Sequence, residues 1–129
     1  MWSFVHHLIL AHGRKEFEVT ESILETIKKM LGAEYDNSDF NVDIIVWINS
    51  AFMVLNQLGV GPKDGFVITG PAEVWSDYIT DQNVLSTVKT YVFLKTKLGF
   101  DSSTASSAVL DSMKQMIQDY EWRLNVAVD

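Results

Sequence analysis

The chain has 129 residues, 47% of them hydrophobic, which suffices for one domain with one core and is too apolar for a disordered polymer. Ten basic residues face seventeen acidic ones, a net charge of −7. This argues against a nucleic-acid binder, because neutralising phosphates takes lysines and arginines. With no cysteine there are no disulfides, thiolate metal sites or thiol nucleophiles. No apolar run approaches the roughly 18–20 residues of a membrane span, and Trp2 to Ala11 lacks the basic start and cleavage site of a secretory signal.

Residues 1–18 stand apart: they hold all three histidines (His6, His7, His12) and no helix-capping pattern. They read as a flexible extension, or as the product of an upstream start site, ahead of a helical domain at 19–129. A first helix is expected from about Glu21 to Leu31. Ser22 with Glu25 three residues on has the form of a capping box, Ile23, Ile27 and Met30–Leu31 recur at helical spacing, and Gly32 is the expected left-handed stop. An acidic turn, Glu34 to Asp39, ends at a cap on Asn37 or Ser38. The second helix, about Phe40 to Leu58, carries the stripe Ile44–Ile45, Ile48, Phe52, Leu55 and Leu58 and closes at Gly59.

The segment after it is dense in turn residues, Gly59-Val-Gly-Pro-Lys-Asp-Gly65, with a tight turn expected at Asp64-Gly65. Phe66-Val67-Ile68 reads as a short β-type run stopped by Thr69-Gly70-Pro71, and Ala72 to Tyr78 as a single helical turn. A third helix follows from Asp81 or Gln82 to Leu98, ended by Gly99. A fourth starts at a Ser102-Ser103-Thr104 cap and runs to about Leu124, with the stripe Val109–Leu110, Met113, Ile117, Tyr120 and Leu124 inward. The expected fold is all-α: a four-helix bundle-like domain with a long, partly extended loop between the second and third helices.

Constellations for chemistry are missing. The three histidines have no fourth ligand at suitable spacing. A calcium loop counted from Asp36 would place Phe40, Asn41 and Trp47 where an oxygen ligand, a glycine and a glutamate are needed. Gly59-Val60-Gly61 lacks the spacing of a phosphate loop and ends a helix rather than opening one. A nucleophilic serine needs a base, and no histidine lies in the body of the domain. The expectation is no enzyme, no catalytic residue, no metal and no cofactor.

The order of motifs is more informative than any one of them. Lys28-Lys-Met-Leu-Gly32 is followed by the acidic turn, then Trp47-Ile-Asn-Ser-Ala-Phe52 and Leu55-Asn-Gln-Leu-Gly-Val-Gly61. After these come Val74-Trp-Ser-Asp-Tyr78, Val88-Lys-Thr-Tyr-Val-Phe-Leu-Lys-Thr-Lys-Leu98, and Ser107 to Val126 with Glu121-Trp-Arg-Leu-Asn125. Over about residues 20 to 129 this order resembles the head–tail connector, or adaptor, proteins of long-tailed bacteriophages. The resemblance implies a non-catalytic virion protein forming a ring of about twelve copies beneath the portal. It implies partners as well: further copies of itself, the portal protein, and a tail-side connector or stopper protein. DNA would pass through without specific binding, no membrane is involved, and assembly takes place in the host cytoplasm. Residues 1–18 have no counterpart in that pattern.

Apolar residues that a small domain has difficulty burying are the candidate protein-interface set: Phe66, Ile68 and Trp75 in the loop, Trp122 and Val126 near the end of the chain. The third and fourth helices would supply one surface of a ring contact, and the second helix with the loop the other. The competing reading is a small acidic regulatory or antitoxin-like helical protein; a helix-turn-helix is excluded by the long connection and the lack of a basic helix.

Overall fold

The computed structural model describes residues 20–128. They form an all-α fold with helices α1 (Ile23–Leu31), α2 (Asn41–Gln57), the single turn α3 (Trp75–Tyr78), α4 (Gln82–Asp101) and α5 (Ser107–Ala127). Two 3₁₀ turns, Ala33–Tyr35 and Ser38–Phe40, connect α1 to α2. Helix α4 is central: α1, α2 and α5 all pack on it.

Local chemistry accounts for most of the boundaries. The Ser22 hydroxyl accepts from the Glu25 N–H at 3.2 Å and starts α1. Gly32 ends that helix at φ 122°, ψ 169°, an extended positive-φ conformation rather than the left-handed helical one expected. The Lys28 side chain, 4% exposed, buries its stem while its ammonium donates to the carbonyls of Asp36 and Asn37 at 3.2 and 3.1 Å, holding the acidic turn against α1. Asn37 caps the second 3₁₀ turn by accepting from the Asp39 N–H at 2.8 Å.

The later boundaries differ from expectation. Gly99 does not stop α4, which continues to Asp101. Its missing side chain makes room for the Trp47 ring of α2, which a Cβ there would strike. This glycine is a packing residue. The cap of α5 is accordingly Ser106, accepting from the Val109 N–H at 3.2 Å, and the Ser102–Thr104 stretch belongs to the turn before it.

The expected β-type run is not a strand. Only one isolated bridge occurs among the described residues, antiparallel between Ser22 and Val74. Ile68 instead finds a side-chain partner on α2: Asn49 Nδ2 donates to the Ile68 carbonyl at 3.0 Å, and Asn49 Oδ1 accepts from the Ile68 N–H at 2.8 Å. One amide thus supplies both hydrogen bonds that a neighbouring strand would supply. The turn before it runs from Pro62 to Gly65, closed by the Gly65 N–H donating to the Pro62 carbonyl at 3.0 Å. Asn56 donates to the carbonyls of Pro62 and Lys63, so α2 organises the loop at two heights.

The loop closes the core. Phe52 packs its ring on Phe66, Trp75 and Tyr78, with centroids 5.3, 6.4 and 4.6 Å away. The Trp75 indole N–H donates to Thr26 Oγ1 at 3.0 Å, and that hydroxyl donates to the Ser22 carbonyl at 2.6 Å. The Tyr78 hydroxyl donates to the Val60 carbonyl at 3.3 Å, and its ring lies so close over Gly61 that any side chain there would meet it. The segment from Val60 to Tyr78 therefore covers the end of the core that α1, α2 and α4 leave open.

Candidate assembly surfaces

The five residues expected at an interface separate into two groups. Trp75 and Ile68 are 0% and 1% exposed and lie inside the hydrophobic core. They correct the expectation of surface anchors: the loop folds back on its own helices, and the Thr26 and Asn49 hydrogen bonds satisfy their polar atoms there. Phe66 is half-buried against Phe52 and Tyr78. Trp122 and Val126 remain on the surface, 68% and 48% exposed. They are four residues apart and share the side of α5 opposite Met113, Ile117 and Leu124, which face the core.

Helix α2 contributes a second exposed apolar face. Its inner stripe is Ile44, Ile48, Ala51, Phe52 and Leu55, yet Val42, Val46 and Met53 point outward and are mostly exposed. Segment Ser38–Gln57, of mean hydropathy 1.3, is long and apolar enough to cross a membrane by length and composition, contrary to the reading of single apolar runs. The core helix of a globular domain passes the same test, and one face of α2 is that core. The outer face continues onto Val67, which points outward between the inward Phe66 and Ile68. Val46, Met53 and Val67 line a groove of about 570 Å³ whose wall also includes Asn49, Asn56 and Asp64. Apolar-stripe reasoning missed these residues. The visible signal was the uninterrupted Ile44-Ile-Val-Trp47, since four consecutive apolar residues wrap a helix beyond one face.

Hydrogen bonds join α5, which carries one of these surfaces, to α4 and to the end of α2. On α4 and α5, the Tyr91 hydroxyl donates to Glu121 at 2.8 Å. Burial, with the adjacent Glu121 carboxylate bonding to the phenol, pushes the Tyr91 pKa well above the ordinary tyrosine value; burial does the same to Tyr78. Asn125 donates to the Leu58 carbonyl at 3.3 Å, fixing the end of α5 to the end of α2. A smaller cleft of about 300 Å³ lies beside Trp47 and Gly99 and carries Lys95 and Lys114. No group of three or more histidine or acidic side chains that could hold a metal occurs among the described residues. The N-terminal histidines lie outside them.

These features define a small all-α protein with apolar surface on two separate elements. A family model described as phage connector protein matches residues 23–129, from the first residue of α1 onward, and the chain belongs to that family. It is a structural connector and virion component that takes part in phage head–tail assembly. No curated protein and no solved structure matched the chain.

Proposed function

We propose that the protein is a head–tail adaptor that assembles as a ring below the portal, joins the capsid to the tail and extends the channel for DNA. The observation that carries this reading is the placement of exposed apolar residues on two different elements, the outer face of α2 and the end of α5. A ring requires that two different surfaces of each subunit meet and that the rotation closes. One self-complementary patch would yield a dimer. The acidic balance, net −7, supports a conduit over which DNA slides, since a basic wall would retain the genome. The portal would meet one side of the ring, and a tail-side connector or stopper protein the other.

Electron microscopy of the purified protein, alone and mixed with portal, tests the reading. Rings, in solution or on portal, are the expected result. A protein that stays monomeric or dimeric in both samples and leaves portal undecorated would favour the small regulatory module instead.

A further inference from the structure

Resting on the ring reading, we infer which surfaces meet between copies: the groove on the outer face of α2, walled by Val46, Met53, Phe66 and Val67, receives Trp122 and Val126 of the next subunit. Three observations identify the occupant as a second copy. The groove and the α5 end carry much of the exposed apolar surface and lie on different elements of the chain. Loop residues approach α2 on the side of Asn49 and Asn56, whereas α4 meets α2 at Trp47 and α5 at Leu58. The groove of about 570 Å³ has room for an indole and an isopropyl group side by side.

Charge supplies the third argument. Arg123, the only arginine among the described residues, sits beside Trp122, exposed and over the Tyr120 ring at 5.6 Å. Asp64, exposed, stands in the groove wall. Neither has an ion-pair partner among the described residues, where the pairs are Lys29–Glu21 and Lys97–Asp101. Seating Trp122 in the groove brings Arg123 toward Asp64, and Asp119, one turn before Trp122, toward Lys63. In a chain of net charge −7, copies repel one another except where such a pairing offsets the repulsion. The apolar centre provides the attraction and the charges provide the register.

Because the natural chain has no cysteine, disulfide trapping tests the contact directly. The variant with both Val67→Cys and Val126→Cys, mildly oxidised, is expected to give a ladder of dimers, trimers and higher species on a non-reducing gel. An equimolar mixture of the two single variants should stop at dimers, and each single variant alone should remain one band. Adding Trp122→Ala should cut the ladder about tenfold or more, with the circular dichroism spectrum unchanged. Asp64→Arg should weaken it, and Asp64→Arg with Arg123→Asp should restore it. A double-cysteine variant that gives no more product than the single variants overturns the contact. Rings by microscopy without a ladder remove this contact and leave the ring; a ladder without closed rings on portal keeps the contact and removes the ring. Flotation of the protein with lipid vesicles, and no ladder, would overturn it in favour of a membrane-facing α2.

Discussion

Asn49 does work for the extended loop that no backbone neighbour does. Its amide satisfies both the N–H and the carbonyl of Ile68, so the loop is fixed to α2 without a sheet. Replacing Asn49 with Ala leaves two backbone groups in a part-buried position without partners. A loss of about 1–3 kcal/mol in denaturant unfolding is expected, together with faster proteolysis within Val60–Tyr78. Glu73 secures the next bend, accepting from the Thr69 N–H and hydroxyl at 3.0 and 2.9 Å. Burial alone would raise its pKa, but the hydrogen bonds from Thr69, together with the nearby backbone amides of Gly70 and Glu73 itself, outweigh it and hold the carboxyl below its ordinary value of 4.5. A depressed folded-state pKa contributes stability above the unfolded value, and that contribution is lost as pH falls through the folded one. Glu73→Gln should therefore be less stable than the natural protein near neutrality, and the gap should narrow between about pH 5 and pH 3. Thermal melts across that range check it; a constant gap would mean that the carboxylate charge is irrelevant.

At the scale of elements, the helices were legible wherever one face alternates cleanly with polar residues. The stripes of α1, α2 and the inward face of α5 could be read from spacing, and Ser22 identified itself as a cap. Gly99 was misread because a glycine that stops a helix and one that admits a neighbouring ring look alike in a sequence; only the position of Trp47 separates them. That error displaced the next cap as well. Trp75 and Ile68 were misplaced for a related reason. Their burial depends on Thr26 and Asn49, polar residues on distant helices whose side chains happen to face the loop. Conversely, the exposed positions of α2 went unseen because a helix apolar on more than one side reads as deeply buried. Gly99→Ala tests the packing account: the added methyl meets the Trp47 ring, at a cost of about 1–3 kcal/mol. Trp47→Ala in the same chain should recover most of that loss, giving a strongly non-additive double-mutant cycle.

For the whole molecule, the proposed ring would set self-repulsion between copies against apolar contact. Each copy carries a net charge of −7, and a ring concentrates that charge around one axis. The Debye length falls from about 30 Å at 0.01 M salt to about 8 Å at 0.15 M, so repulsion between copies would fade while the proposed contact over Val46, Met53 and Trp122 would not. Association measured by sedimentation velocity should accordingly strengthen over this range of salt. Weakening over the same range would show that charge pairing, rather than apolar burial, dominates the contact.

The bridge between Ser22 and Val74 ties the start of α1 to the far end of the loop. Its two flanking bonds, the Ile23 N–H to the Glu73 carbonyl at 3.0 Å and the Trp75 N–H to the Glu21 carbonyl at 3.3 Å, join segments that lie on either side of α2 in the chain. They close a circuit of backbone through α1, α2 and the loop, alongside the side-chain hydrogen bonds of Asn49 and Trp75 that hold the same loop. The Ile23 and Trp75 backbone amides should exchange their hydrogens for deuterium at a common rate, intermediate between the exposed turns and the middle of α4, and slow together when a neighbouring subunit clamps the loop. A pair of amides far apart in sequence would then serve as a clock for assembly.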